Sequence, residues 1–199
     1  MSIYTIVLFL HVSGAIGYFV GMGTWLYCLA ALRRAQRVEE VRALTNLAGR
    51  LGALFGISVL LILATGLYMA ITAWGLRTGW IAVALVSLIL IAPLGTAFIE
   101  PRRRAIARLA QAVPDGPLPQ SLKQRIHDPI LGTALQAVTI LLLGIVFLMT
   151  TKPSLIVSLI VMAVALVLGL FSGALISRGT RTRRQSVSTP VDRMKQPVR

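Results

Sequence analysis

Five long stretches of the chain carry no charged residue: residues 1–32, 51–76, 78–99, 129–151 and 153–177. Each reaches or exceeds the about 20 residues that an α-helix needs to cross the hydrocarbon core of a bilayer. A backbone in lipid has to satisfy its hydrogen bonds internally, as a helix does. The stretches therefore predict an all-α, polytopic membrane helix bundle with five transmembrane helices. These helices are expected at residues of about 3–32, 51–75, 78–99, 129–150 and 153–177.

Composition agrees with a membrane protein, because 56% of the residues are hydrophobic and only 13% are charged. Soluble domains carry about 25% charged residues. With 199 residues, the five spans leave no room for a second folded domain. We therefore expect one transmembrane domain over residues 1–177, followed by a basic, disordered cytoplasmic tail over residues 178–199. The expectation of disorder rests on the arginine, serine and threonine content of the tail and on its two prolines.

The distribution of positive charge predicts the orientation of the bundle. All but two of the 20 lysines and arginines follow span 1, span 3 or span 5, and the exceptions are Arg77 and Lys152. The positive-inside rule then places the N-terminus outside and the C-terminus in the cytoplasm, in a multi-pass protein of the bacterial inner membrane. The chain has a net charge of +14, and its positively charged residues lie next to apolar runs. Their position therefore favours anionic lipids at the cytoplasmic face over nucleic acid as a partner.

A short amphipathic helix is predicted at residues 102–113. Its apolar face would carry Ile106, Leu109, Ala110 and Val113, with arginines elsewhere. Such a helix is typical of segments that lie on an anionic membrane surface. The arginines expected to contact lipid headgroups are Arg102, Arg103, Arg104 and Arg108.

Features at the ends of the runs predict where helices begin and bend. Asp128 followed by Pro129 is typical of an N-cap with proline at the first helical position, and Pro153 after Lys152 suggests a similar start. Pro93 is expected to kink the third helix. The segment 35–50 is expected to be a helical extension, because Val38, Val41, Leu44 and Ala48 recur near helical spacing.

Small residues at helical spacing predict where helices approach each other closely. Ser13, Gly17 and Gly21 recur every four residues in span 1, and Gly14 lies on a neighbouring stripe with His11. Such spacing lets a second backbone come near, within one chain or between chains. The same spacing recurs at Gly52 and Gly56 and at Gly169 and Gly173.

His11 is the histidine that lies within a span, and ionisable residues at this depth are costly and often functional. Imidazole is a usual ligand of haem iron and copper, which makes His11 a candidate cofactor ligand. The alternative is a neutral histidine that hydrogen-bonds to a neighbouring helix. Gln136 and Thr139 share a face in span 4 and are further candidates for bonds between helices. The sequence shows no catalytic or metal-binding motif, so an enzyme is not favoured.

Short motifs in four of the spans carry a resemblance to known membrane proteins. They are Leu10-His11-Val12, Gly14-Ala15, Gly21, Thr65-Gly66-Leu67, Trp74, Gly79-Trp80-Ile81, Leu148-Met149 and Lys152-Pro153. With these motifs the chain resembles a bacterial family of predicted integral membrane proteins with a domain of unknown function (2269). The similarity covers most of residues 5–155 and implies a membrane protein without assigning an activity. A fainter similarity, at the leucine and histidine of span 1 alone, links the chain to copper-resistance membrane proteins and to a haem-pathway oxidase.

Three functions remain open from the sequence. The first is a non-catalytic membrane subunit or scaffold that packs with itself or with a membrane-protein partner. The second is a haem- or metal-binding redox protein that uses His11, and the third is a small-solute transporter. The absence of acidic residues from all five spans disfavours a pump coupled to protons or sodium ions.

Overall fold

A computed structural model describes the backbone of residues 2–188 and the side chains of residues 2–175, apart from positions 53, 92 and 96. In this part of the chain, helix is the regular structure throughout, except for an isolated bridge between Arg37 and Pro117. The prediction of an all-α fold is confirmed. The helices are α1 (Ile3–Leu32), α2 (Val38–Met69), α3 (Gly79–Pro93), α4 (Glu100–Ala112), α5 (Gln120–Ile126), α6 (Pro129–Thr151) and α7 (Leu155–Ser188).

Four helical segments are long and apolar enough to cross a membrane: Ile3–Leu32, Val38–Trp74, Gln120–Thr151 and Leu155–Leu175. The predicted third span is helical as well, but its apolar α-helical part is shorter, at Gly79–Ile91. After Pro93 the backbone changes to a π-helix at Leu94–Ile99, which continues directly into α4. Proline lacks the amide proton of a regular helical bond, so a change of helix type at this point has a local cause.

Two helical hairpins make up most of the bundle. Helices α1 and α2 pack along each other, and so do α6 and α7. Helix α3 packs on α6 and α7, and α4 packs on α2, so the basic segments that follow the first and third uncharged runs lie at one end of the bundle. At the other end, the ammonium of Lys152 lies 4.2 Å from the centre of the Trp74 ring, and Trp74 contacts Trp80 edge to face.

The basic end of the bundle has a compact hydrophobic cluster, the basic cap. Its buried residues come from the start of α2, from α5 and from the loop before it: Val38, Val41, Leu118, Leu122 and Ile126. Two backbone hydrogen bonds hold the loop against the start of α2, from Val38 to the carbonyl of Gly116 and from Leu118 to that of Gln36. The cap is built as in a soluble domain, by burial of apolar side chains.

Helix α4 occupies the predicted amphipathic segment, but its apolar face contacts protein. Ile106 is 2% exposed and Ala110 is fully buried, within the same hydrophobic core as the basic cap. Arg42 of α2 fixes the end of α4 by donating to the carbonyls of Ala110 and Val113 and pairing with Asp115. The expectation that this face lies on lipid is therefore wrong, because α2 covers it.

The start of α6 agrees with the prediction from the sequence, whereas the start of α7 does not. Asp128 caps α6 by accepting a hydrogen bond from the Ile130 amide at 2.9 Å, with Pro129 in the first turn as predicted. Pro153 does not begin α7, because Lys152 ends α6 in a left-handed conformation and α7 starts at Leu155.

Helix α7 continues to Ser188, so residues 178–188 are helical where the sequence analysis expected disorder. Arginine is a good helix former, and this favours continuation of the helix into the basic segment. Residues 189–199 of the predicted tail lie outside the described residues.

The two repeated glycine pairs have different surroundings. A Cβ atom at Gly169 would lie 2.8 Å from the Cα of Ala137, and one at Gly173 would lie 2.7 Å from the Cα of Thr133. The backbones of α6 and α7 therefore touch at these positions. A Cβ atom at Gly52 or Gly56 would have no atom of another described residue within 4 Å, so these two glycines do not pack against the described helices.

Replacing Gly169 by leucine is expected to force α6 and α7 apart. Overpacking of this kind costs about 1–3 kcal/mol, and here the nearest atom is a backbone carbon that cannot rotate away. The matched control is Gly52→Leu, which introduces the same side chain into open space. Thermal unfolding of the detergent-solubilised protein measures both, and equal destabilisation by the two changes would contradict the packing described for α7.

Candidate functional site

His11 lies in the contact between α1 and α2 and is 8% exposed. Its Nδ1 atom is 3.1 Å from the carbonyl oxygen of Ile62 and 3.1 Å from the hydroxyl oxygen of Thr65. The Thr65 hydroxyl donates its own proton to the carbonyl of Leu61. Both neighbours of Nδ1 therefore act as acceptors, and Nδ1 must carry the proton. In the neutral ring, the lone pair is then on Nε2.

Gly66 makes room for the imidazole. A Cβ atom at this position would lie 3.0 Å from His11 Cε1 and 3.3 Å from Nδ1. The neighbouring Thr65 supplies the hydroxyl that faces the ring, so both residues of this pair serve His11. Thr65 and Gly66 belong to the motif Thr65-Gly66-Leu67, and the sequence alone assigns neither residue a role. Their position relative to His11 shows what the motif does locally.

The contact continues along α1 as a line that we call the glycine seam: Gly14, Gly17 and Gly21. Cβ atoms at these positions would lie 3.1 Å from Ile62 Cγ1, 2.8 Å from Ser58 Oγ and 3.2 Å from the Phe55 ring, respectively. All three glycines thus face α2. The spacing of the sequence predicts a stripe of Ser13, Gly17 and Gly21 with Gly14 beside it, and in the structure Gly14 faces α2 together with Gly17 and Gly21.

Aromatic residues extend the seam toward the basic end. Tyr18 packs edge to face on Phe55, with ring centres 5.2 Å apart. The indole nitrogen of Trp25 donates to the carbonyl of Ala48 at 3.4 Å. The interface thus runs from a polar contact at His11, through a glycine-lined middle, to aromatic contacts near the basic cap.

The polar residues predicted in span 4 do not join this interface. Thr139 donates to the carbonyl of Leu135 at 2.8 Å, which is a bond within its own helix. Gln136 is half-buried on α6. Among the described residues, no group of three or more histidine, cysteine, aspartate and glutamate side chains is placed to hold a metal ion.

A second site is the arginine groove, an open cavity of about 520 Å³ between α2 and α4 at the basic end. The sequence predicts lipid contacts for Arg103, Arg104 and Arg108 of the groove, but it gave no role to Arg50. A signal was present, because Arg50 directly precedes the uncharged run 51–76 and α4 directly follows the uncharged run 78–99. The groove brings polar residues of two helices face to face. They are Asn46 and Arg50 of α2 and Arg103, Arg104, Arg108 and Gln111 of α4.

Glu100 organises one side of the arginine groove. Its carboxylate accepts two hydrogen bonds from Arg103, at 2.7 and 2.6 Å, and one from Arg104 at 2.6 Å. These bonds, first those of Arg103, hold the pKa of the Glu100 carboxyl below its ordinary value. The carboxylate therefore stays ionised and fixes the Arg103 guanidinium in place.

Arg102 lies outside the groove, contrary to its grouping with the neighbouring arginines. Its Nε atom is 3.3 Å from a carboxylate oxygen of Asp128, and it also donates to the carbonyl of Phe98 at 2.9 Å. A helix turns by about 100° per residue, so adjacent arginines point in different directions. Arg102 thus ties α4 to the start of α6.

The sequence model of the predicted integral membrane proteins with domain of unknown function DUF2269 matches residues 5–153. The chain belongs to this family. The match includes the whole α1–α2 interface and the arginine groove. No curated protein and no solved structure matches the chain.

Proposed function

We propose that this member of the DUF2269 family is a non-catalytic structural subunit or scaffold of the bacterial inner membrane. The observation that supports the proposal is the pair of hydrogen-bonding contacts that His11 makes with α2. Its protonated nitrogen donates to acceptors on α2, and Gly66 accommodates the ring. An intramembrane histidine bonded in this way stabilises a helix pair. Two further glycines, Gly52 and Gly56, lie open on α2, where another chain's helix can approach.

We further propose that the chain crosses the membrane five times. The π-helix at Leu94–Ile99 continues α3 without a break, and residues 79–99 together extend over about 30 Å at 1.5 Å per residue. This length matches the hydrocarbon core of a bilayer. The clustering of α4, α5 and the start of α2 at one end supports a cytoplasmic location for that end.

A reporter enzyme that is active only outside the cytoplasm should be silent when it is fused after Arg199. The same reporter inserted beside Arg77, in the turn between the second and third spans, should be active. The reason is that all but two of the 20 cations follow the first, third or fifth span, whereas Arg77 follows the second. Activity of the C-terminal fusion would contradict the proposed orientation, and so would a silent insertion at Arg77.

A haem- or metal-binding redox protein is the second candidate function, and one observation favours it. The Nδ1 proton of His11 is directed at a backbone carbonyl, which leaves the Nε2 lone pair available. Metal-ligating histidines commonly have their second nitrogen oriented in this way. In this case Ile62 and Thr65 would orient a ligand rather than only join two helices.

The optical spectrum and metal content of the purified protein distinguish the two functions. The proposed scaffold function predicts no Soret band and no bound metal. It also predicts that His11→Gln retains more stability than His11→Leu, because an amide keeps a donor for Ile62. The expected difference in unfolding free energy is small, about 0.6 and at most roughly 1.7 kcal/mol.

A Soret band or bound metal that His11→Ala abolishes, in a protein that still folds, would replace the scaffold by the redox function. Equal stability of the glutamine and leucine variants, without chromophore or metal, would contradict both roles of His11. Unfolding has to be measured at equilibrium in detergent, because the expected difference is too small for a comparison of yields.

A further inference from the structure

We propose that the arginine groove binds the phosphate of an anionic phospholipid headgroup at a defined site. This goes beyond a general attraction between a basic surface and anionic lipid. The proposal is independent of the role of His11, because His11 lies between α1 and α2 and the groove lies between α2 and α4.

The charge of the groove calls for an anionic ligand. Four arginines line it, and Glu100 is the carboxylate that pairs with two of them. The ion pairs of the described residues involve other arginines, so Arg50 and Arg108 have no carboxylate partner there. A phosphate matches these groups because guanidinium forks donate paired hydrogen bonds to its oxygens. The amides of Asn46 and Gln111 add donors at the same cavity.

The groove is built before any ligand arrives. Glu100 holds Arg103 by two hydrogen bonds, and a Cβ atom at Gly49 would lie 3.4 Å from the Arg103 guanidinium. The Arg103 guanidinium therefore lies against α2 at Gly49. Both ends of α4 are anchored, by Arg102 to Asp128 and by Arg42 to the last turn. A preorganised cavity avoids part of the cost of ordering side chains on binding.

The position of the groove favours a lipid over a soluble phosphate. Arg50 directly precedes the uncharged run 51–76, and Arg103 follows closely on the uncharged run 78–99. The groove therefore lies where the apolar parts of two helices end, which is the depth of lipid headgroups. Its volume of about 520 Å³ falls within the range of about 300–1,000 Å³ that is usual for ligand cavities. Basic pockets at this level are known to suit phosphorylated headgroups.

Binding is tested with the full-length protein in phosphatidylcholine–detergent micelles, titrated with short-chain phosphatidylglycerol. Bound lipid is counted by non-denaturing mass spectrometry. The groove variant is Arg50→Gln with Arg108→Gln, and both residues are exposed. The control is Arg34→Gln with Arg125→Gln, which changes the net charge equally at exposed positions outside the groove. Unchanged thermal unfolding shows that each variant folds.

The proposal predicts that the groove variant binds phosphatidylglycerol roughly 30-fold more weakly, whereas the control changes little. Equal loss in both variants would overturn it, because binding would then follow net charge alone. Phosphatidylcholine binding as tightly as phosphatidylglycerol would overturn it too. In a parallel arm, glycerol phosphate replaces the lipid. Binding as tight as that of the lipid, and lost in the groove variant, would support the phosphate site and assign its source to a soluble ester.

Discussion

The close approach of α1 and α2 is the contact on which the rest of the structure depends. In lipid, no hydrophobic force drives two apolar helices together, so tight packing and polar contacts have to hold them. The glycine seam of Gly14, Gly17 and Gly21 supplies the packing, and His11 supplies the polar contact. The same interface sets the position of α2, which in turn carries one wall of the arginine groove.

Two physical regimes meet along α2. Its membrane part packs through small residues, while its first turns contribute Val38 and Val41 to the basic cap, where both side chains are fully buried. Burial of apolar surface from water drives that second contact. The cap therefore fixes α4 and α5 against α2 by a force that is unavailable within the bilayer. This explains how the two helices that line the arginine groove are held against each other although the groove lies at an open surface.

The sequence predicts much of the helical architecture, but it does not predict which helices contact each other. Uncharged runs locate the spans, and Asp128 with Pro129 locates the start of α6, because both signals are local. A stripe such as Gly14, Gly17 and Gly21 shows which side of a helix is smooth, but not which helix faces it. Gly52 and Gly169 have equivalent spacings, yet only Gly169 touches a neighbouring helix among the described residues.

The arginines illustrate the same limit. Their number predicts a basic face, but their partners depend on how the helices meet. Arg102 pairs with Asp128 of the next helix, whereas Arg50, which is distant in sequence, lines the groove with Arg103. The change of helix type after Pro93 differs, because the proline itself is a local signal. The partners of the arginines are decided by tertiary context.

The most direct test of the account compares leucine substitutions at two glycines of α1. Gly17 faces Ser58 across the seam, whereas a Cβ atom at Gly23 would have no atom of another described residue within 4 Å. Equilibrium unfolding in detergent should show a loss of about 1–3 kcal/mol for Gly17→Leu, because the two helices must separate. Gly23→Leu should stay within about 0.5 kcal/mol of the parent protein, as exposed substitutions usually do. Equal stability of the two variants would contradict the claim that the glycine seam holds the bundle together.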